Sequence, residues 1–169
     1  MKKIDLPIQD KIDKISKVHL FENLTSSEIK GIAKIMTSEF YEDGEIIIKE
    51  GDIGDCCYIL HSGIVTVLKE TFAKEQYAVA QINEKDNAFF GEMALIDKDA
   101  RTATIKASTE VTVLVLSSLD FENFVEKNYK SGYYILKAIA KNLIQRLKGA
   151  NRDIATLFGA LEEEIEEEK

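Results

Sequence analysis

One short segment combines a glycine, a carboxylate and an arginine in an order that suits recognition of an anion. The segment reads FFGEMAL at residues 89–95 and, after a short gap, RTAT at residues 101–104. Gly91 lets the backbone approach a ligand closely. The residues after it are predicted to begin a helical turn, whose N–H groups favour an anion. Arg101 can offer a planar fork of donors to a phosphate.

Glu92 adds a second requirement to the ligand. A carboxylate repels a phosphate but accepts a hydrogen bond from a hydroxyl group. A ligand that carries a ribose 2′-OH beside a phosphate therefore suits Glu92 and Arg101 together. The simpler alternative is an exposed ion pair between these two residues, which contributes about 0–1 kcal/mol to stability.

Together, FGEMAL and RTAT resemble the phosphate-binding cassette of the cyclic nucleotide-binding domain family. This family includes the sensor domains of catabolite activator-type regulators, of protein kinase A and G regulatory regions, and of cyclic nucleotide-gated channels. LFENLTSSEI (20–29) is similar to the family's N-terminal helical lead-in, and residues 43–67 are similar to its first strands and turns. QRLKGANRDI (145–154) resembles the long dimer helix of catabolite activator-type proteins. The resemblance covers roughly residues 18–155.

The resemblance implies ligand contacts for particular residues. Glu92 corresponds to the acceptor for the ribose 2′-OH, and Arg101 to the partner of the exocyclic phosphate oxygens. Thr102 leaves both cAMP and cGMP open, because a hydroxyl group there permits a hydrogen bond to a syn guanine. Val65 or Val67 corresponds to the apolar wall beside the base. Positions that line the ribose and phosphate, or offer backbone N–H groups, are Gly91, Met93, Ala94 and Thr102.

Two positions near the C-terminus extend the predicted site, with alternatives open. Arg146 matches a helix arginine that reaches towards the pocket, but a solvated surface charge explains it equally well. Catabolite activator-type proteins place two hydroxyl residues against adenine where this sequence has Ala150 and Asn151, although Asn151 can still bond a base edge. The resemblance implies a cAMP or cGMP ligand, with no metal and no further cofactor. The predicted ligand-binding residues are Gly91, Glu92, Met93, Ala94, Arg101, Thr102, Val67, Asn151 and Arg146.

Helices and short strands must position these residues. Apolar residues recur at helical spacing over residues 8–39, where Thr25 and Glu28 form a capping-box pattern. Residues 40–116 contain short β-rich runs separated by turn pairs, without helices of crossover length. Together with the resemblance, this pattern predicts an α+β fold. It is an antiparallel β-roll or jelly roll (double-stranded β-helix) with N-terminal helices and a long C-terminal helix.

The C-terminal region is predicted to be helical again. Ser117-Ser118 offers an N-cap, and Ser131-Gly132 is interpreted as a break. We expect residues 1–133 to form the β-roll with its lead-in and hinge helix, 134–161 a long helix, and 162–169 an acidic tail. The long helix carries a heptad seam that predicts a homodimer, parallel or antiparallel, although a helix lying on its own roll is the alternative. The seam consists of Leu136, Ala140, Leu143, Leu147, Ala150, Ile154, Leu157 and Leu161.

Charge and composition limit the function further. The net charge is −8 and the pI about 4.9, and Glu162–Lys169 alone contributes −5. DNA is therefore not an expected partner, and the eight residues after Leu161 leave no room for a helix-turn-helix. The acidic run is interpreted as a solubility tail, with a docking site for a basic partner as the alternative.

The remaining composition predicts a cytoplasmic protein that does not span a membrane. No apolar run approaches the roughly 20 residues that a bilayer requires, and the N-terminus lacks the apolar core of a signal peptide. Cys56 and Cys57 are adjacent and read as strand residues. His19 and His61 lie in different segments, so a metal-dependent jelly-roll enzyme is not favoured.

These observations lead to one functional prediction and one alternative. The chain is predicted to be a cyclic nucleotide-binding regulatory module without enzymatic activity. Ligand binding would change the packing of its helices and so signal to an effector protein, which the sequence does not identify. The alternative is a degenerate dimeric scaffold of the same fold that has lost its ligand.

Overall fold

The computed structural model describes residues 1–71 and 73–167. The α-helices are α1 (Ile8–Ile15), α2 (Ser26–Ile35), α3 (Ser118–Lys127) and α4 (Tyr129–Glu167). Short 3₁₀ turns cover His19–Phe21, Glu84–Asp86 and Glu92–Leu95. The strands are β1 (Lys2–Ile4), β2 (Thr37–Tyr41), β3 (Ile46–Ile48), β4 (Cys56–Ser62), β5 (Ile64–Glu70), β6 (Gln76–Asn83), β7 (Phe89–Phe90), β8 (Thr104–Ala107) and β9 (Val111–Ser117).

The strands form two antiparallel sheets that face each other. One sheet has the order β1-β2-β9-β4-β7 and the other the order β3-β8-β5-β6. Most neighbours in the order are distant in sequence, because β9 lies between β2 and β4, and β8 between β3 and β5. This is the predicted β-roll with flanking helices, and the fold class is confirmed.

Strand β9 shows how one sequence run serves two apolar cores. Its side chains alternate between the faces of the sheet, as the period of a strand requires. Val111, Val113 and Val115 pack inside the roll between the sheets, whereas Leu114 and Leu116 pack against the helices. An almost continuously apolar strand is therefore needed where a sheet is covered on both sides.

The N-terminal helices cover the outer face of the five-stranded sheet. Thr25 caps α2, and the reciprocal hydrogen bonds with Glu28 form the predicted capping box. The sequence prediction was wrong for the end of this region, because residues 37–39 belong to strand β2 (Thr37–Tyr41) and not to a helix. The helical apolar spacing stops at Met36, and β2 then pairs with both β1 and β9.

The break between the last two helices lies three residues earlier than predicted. Ser117 caps α3 as expected, but α4 begins at Tyr129 and passes through Ser131 and Gly132 without interruption. Gly132 is required by packing, because a Cβ atom there would lie 2.5 Å from Val125 of α3. Ser131 is buried as well, and its hydroxyl group donates to Glu28 of α2.

Helix α4 extends well past the body of the protein. Its 39 residues span about 58 Å at 1.5 Å per residue. Ile135, Ala138 and Ile139 are buried in the helical core, and Leu143 packs against that core. The acidic run continues the helix as far as Glu167, and its last two residues, 168 and 169, lie outside the described residues. No helix within the described part of the chain is both long and apolar enough to cross a membrane.

Candidate functional site

The turn after β7 forms one wall of the site. Gly91 has φ +73°, a left-handed conformation that favours glycine, and the 3₁₀ turn Glu92–Leu95 follows directly. A Cβ atom at Gly91 would lie 2.7 Å from Arg101 Nη1 and 3.3 Å from the carbonyl oxygen of Cys56. Glycine therefore permits both the turn and the close approach of Arg101.

Backbone hydrogen bonds hold Arg101 at the opposite side of the same loop. Its N–H donates to the carbonyl oxygen of Asp52 at 2.8 Å, and its carbonyl oxygen accepts from the N–H of Gly51 at 2.9 Å. The N–H of Gly54 donates to the carbonyl oxygen of Asp99 at 3.2 Å. The glycine turn before β4 thus fixes the end of the cassette.

The guanidinium of Arg101 donates to backbone oxygens. Nη1 donates to the carbonyl oxygen of Gly91 at 3.0 Å, and Nη2 donates to that of Cys56 at 2.7 Å. Its central carbon lies 5.9 Å from the ring centroid of Tyr58. Among the described residues, no carboxylate oxygen lies within 4 Å of this guanidinium. Arg101 is therefore a half-buried cation that is oriented by neutral groups, and its other N–H donors can receive an anion.

Glu92 is a buried carboxylate on the other side of the cleft. Its side chain is 1% exposed, and Oε1 lies 3.0 Å from Arg146 Nη1 on α4. The alignment of these two atoms is not that of a hydrogen bond, so Oε1 has a Coulombic partner but no hydrogen-bond donor within the described part of the chain. Glu92 does not pair with Arg101, and the surface ion pair considered from the sequence is absent from the described residues.

Two adjoining cavities open beside these residues. The polar cavity, of about 100 Å³, holds Glu92 and carries two further carboxylates, Asp97 and Asp99. The larger cavity, of about 280 Å³, has an apolar wall. The residues that line both cavities are Gly91, Arg101, Thr102 and Arg146. The apolar wall consists of Ile48, Val67, Ala80, Ile82, Phe90, Ala103 and Ile105.

The structure brings eight of the nine predicted site residues to these cavities. Gly91, Glu92, Met93, Ala94, Arg101, Thr102, Val67 and Arg146 line one or both of them. Asn151 is not brought there, because it lies five residues beyond Arg146 on the exposed part of α4. Of the two valines considered for the apolar wall, Val65 is fully buried in the roll core and Val67 lines the cavity.

Several lining residues were not predicted from the sequence. Ala80 and Ile82 lie on β6 and face the cavity, and their alternation with polar Gln81 is the pattern that indicates a common face. Tyr58 below Arg101 has no such sequence signal, since its position depends on the pairing of β4 with β7.

The two cysteines and the two histidines do not line either of these cavities. Burial raises the pKa of the Cys56 thiol, an effect that its hydrogen bond with Tyr58 and the nearby Arg101 oppose. Burial likewise raises the pKa of Cys57, so neither is an activated thiolate. His19 contacts Glu22 on the surface, whereas His61 lines a separate cleft beside α1.

Comparison with known proteins identifies the family. The sequence profile of the cyclic nucleotide-binding domain matches residues 38–128. This match covers more than half of the chain and contains the turn, Glu92 and Arg101. The chain belongs to the cyclic nucleotide-binding domain family. The resemblance seen in FGEMAL and RTAT is thereby confirmed.

Two individual relatives carry the names of cyclic nucleotide-dependent protein kinases. A cGMP-dependent protein kinase, egl-4, of Caenorhabditis briggsae is 36% identical over 116 residues, which cover 68% of this chain and 15% of the kinase. A cAMP-dependent protein kinase regulatory subunit of Mucor circinelloides is 36% identical over 108 residues, covering 63% of this chain and 24% of the subunit. This chain therefore spans less than a quarter of these relatives.

Solved structures show the same fold. The catabolite activator protein of Thermus thermophilus superposes with a TM-score of 0.73 at 24% identity, over 82% of this chain and 62% of that protein. This similarity extends beyond the residues matched by the family profile.

Proposed function

We propose that this chain binds a cyclic nucleotide, cAMP or cGMP, in the two adjoining cavities and passes the binding event to α4. One observation carries the proposal. Arg101, without a carboxylate partner among the described residues, and the buried Glu92 face the same cleft beside an apolar wall. An anion, a hydroxyl donor and a flat apolar group in one small ligand satisfy all three features.

Each part of the nucleotide has a matching group. The cyclic phosphate would accept hydrogen bonds from the unused donors of Arg101, which are charge-assisted and strong. The ribose 2′-OH would donate to Glu92, whose Oε1 has no donor within the described residues. The base would lie against the wall that includes Val67, Ile82 and Ile105, with Thr102 at its edge.

Helix α4 is linked to the site through Arg146. This residue is the Coulombic partner of Glu92 and also lines both cavities. A ribose that bonds Glu92 must share the carboxylate with Arg146, so binding would change the contact that holds α4 to the roll. Helix α3 also touches the turn Glu92–Leu95. A ligand moves the helices only by its different affinity for their alternative positions.

The dimer is part of the same proposal. Beyond Leu143, α4 carries large apolar side chains that are at least half exposed, and exposed apolar surface of this kind marks interaction sites. We propose that two copies of the chain associate along α4 and that an effector protein responds to the position of the helices.

Calorimetric titration with cAMP and with cGMP tests nucleotide binding. Wild type should release or absorb heat with one nucleotide or both. Arg101→Ala should bind about a hundredfold more weakly, because it removes two charge-assisted hydrogen bonds. Arg152→Ala is the matched control, since Arg152 is exposed on α4 and lines neither cavity. Absence of heat from wild type at millimolar concentrations of both nucleotides would refute the proposal and favour the ligand-free scaffold.

A further inference from the structure

One face of α4 carries an apolar stripe whose spacing is that of a coiled coil. Its members recur in alternating steps of three and four, apart from one polar position, and they are between 50% and 66% exposed. They are Ile144, Leu147, Ile154, Phe158, Leu161 and Ile165. A repeat of 3.5 residues keeps such a stripe facing a second helix along its whole length.

This stripe differs from the seam expected from the sequence alone. Leu143 turns towards the core of its own protomer, so its neighbour Ile144 takes the corresponding place on the exposed face. In the corrected heptad, Ile144, Phe158 and Ile165 occupy a positions, with leucine or isoleucine at d. The stripe has the composition of a helix-helix interface, and its apolar side chains are at least half exposed.

Asn151 lies within the stripe, between Leu147 and Ile154, and occupies the remaining a position. It lines neither cavity of the nucleotide site. Its amide carries both donors and an acceptor, so two copies of the same side chain can bond each other. A single asparagine at an a position is a known way to specify register and oligomeric state, at a cost in stability.

We propose that the α4 helices of two copies of this chain pack in parallel along the stripe, and that Asn151 pairs with Asn151 of the second copy to fix the register. The proposal rests on the dimer proposed above. It assigns Asn151 a role in specifying the partner's orientation instead of a role in contacting the ligand.

An antiparallel pair of helices would bring opposite charges together, but it would leave the side-chain amide of Asn151 without a hydrogen-bond partner. Lys148 and Arg152 lie in the first half of the stripe, and Glu162 and Glu163 lie near its end, so reversal would bring opposite charges together. It would also place Asn151 against Ile154 or Leu161. A buried amide without a partner weakens association about tenfold or more. Exposed ion pairs strengthen it about fivefold at most. The amide therefore decides in favour of parallel packing.

Disulfide formation by a single introduced cysteine tests the orientation in the full chain. Leu147→Cys should form an intermolecular disulfide on mild oxidation, because residue 147 faces its own copy in a parallel pair. In either antiparallel register the two copies of residue 147 lie at least roughly 16 Å apart along the axis, too far for a disulfide. Thr156→Cys, two and a half turns away on the opposite face, is the matched control and should not cross-link. Wild type treated in the same way controls for Cys56 and Cys57.

The Asn151→Leu variant tests the role of the amide. Sedimentation should show tighter association by about tenfold or more, because an apolar layer replaces the asparagine pair. It should also show a mixture of oligomers, and the Leu147→Cys cross-linking yield should fall in the double variant, because several registers then become accessible. Thr156→Leu adds the same side chain on the opposite face and should leave the association unchanged.

The outcomes separate this proposal from nucleotide binding. If Leu147→Cys cross-links but Asn151→Leu remains a single parallel dimer of unchanged affinity, the assigned role of Asn151 is wrong and the dimer stands. If Leu147→Cys does not cross-link while sedimentation shows a dimer, the parallel orientation is wrong. If wild type is a monomer at all concentrations, both are wrong, whereas calorimetry still decides nucleotide binding independently.

Discussion

Arg101 and Glu92 are neighbours in the cleft, and each is held by a different part of the chain. Carbonyl oxygens of Gly91 and Cys56 orient the arginine, whereas Arg146 on α4 faces the glutamate. Because neither group neutralises the other, the cleft presents both a donor fork and an acceptor to a ligand. A small acidic protein can bind an anion in this way without a basic surface.

Gly54→Ala should weaken nucleotide binding while leaving the fold intact. A Cβ atom at Gly54 would overlap the Arg101 guanidinium, so the side chain must leave its two carbonyl acceptors. We expect calorimetric affinity to fall by about tenfold or more, the equivalent of about one charge-assisted hydrogen bond. Gly149→Ala is the control, because a Cβ atom there meets nothing within 4 Å. Equal affinities in the two variants would show that the orientation of Arg101 does not matter.

Glu92→Gln should reduce nucleotide affinity without lowering thermal stability. The amide keeps the shape of the side chain, and the change removes a charge from a site that is 1% exposed, where an ion is costly to bury. It also replaces a charged acceptor for the ribose hydroxyl by a neutral one, which should cost about tenfold in affinity. Calorimetry and thermal melting on the same protein measure both effects. A large fall in melting temperature would instead assign Glu92 a structural role.

At the residue scale, the sequence predicted residues that the structure brings to one cleft, but not what orients them. The order of Gly91, Glu92 and Arg101 was sufficient for this prediction, because the three residues lie close together in the sequence. The contacts of Arg101 with Cys56 and Tyr58 depend on how β4 pairs with β7. The spacing of residues within one segment does not predict that pairing.

At the scale of elements, a hydrogen bond ties the N-terminal helices to α4. Ser131 Oγ donates to Glu28 Oε1 at 2.5 Å, and Thr25 donates to the other carboxylate oxygen through its N–H and hydroxyl groups. These hydrogen bonds, first that of Ser131 and then those of Thr25, lower the pKa of Glu28 to about 2. The capping box of α2 thus also anchors the first turn of α4.

Glu28→Gln should lower stability at neutral pH and have little effect in acid. Because the folded-state pKa lies below the ordinary value of 4.5, the ionised carboxylate stabilises the fold above about pH 4.5, and this contribution is lost as the pH falls towards 2. At pH 7 the melting temperature should fall by about 2–4 °C, because replacing a charged acceptor of these hydrogen bonds by a neutral one costs about 1 kcal/mol. Glu122→Gln on the exposed side of α3 controls for charge. A difference that persisted at pH 2 would contradict this explanation.

The two errors in the elements have a common physical origin. Residues 37–39 were assigned to the helical region, and Gly132 was interpreted as a helix break. Both assignments rested on local preference, which tertiary packing overrides. Strand β2 exists because β1 and β9 flank it, and Gly132 lies within a helix because Val125 leaves no space for a side chain.

At the scale of the whole molecule, shortening α4 should separate folding from association. A chain ending at Ala150 keeps the buried residues Ile135 and Ile139 and also Arg146, but it loses most of the apolar stripe. It should be monomeric by light scattering, fold cooperatively and still bind nucleotide. Persistence of the dimer would place the interface elsewhere. Ending the chain at Tyr133 would be a poorer test, since it removes part of the helical core.

The sequence predicted the long final helix, but it did not predict that one part of the helix packs into the core while the next part is exposed. Its apolar spacing is nearly uniform in the sequence, so the heptad pattern gave no sign that Leu143 packs inwards. Only the position of the roll shows that one stretch completes the core while the next is exposed.

If ligand binding changes the ion pair between Arg146 and Glu92, as we propose, the effect on α4 grows with distance along the helix. From this pivot the helix runs another 21 residues to Glu167, roughly 30 Å at 1.5 Å per residue. A small rotation at the pivot would displace the far end in proportion to that length. Under the proposed function, a slight adjustment at the carboxylate would therefore become a larger displacement at the far end of α4.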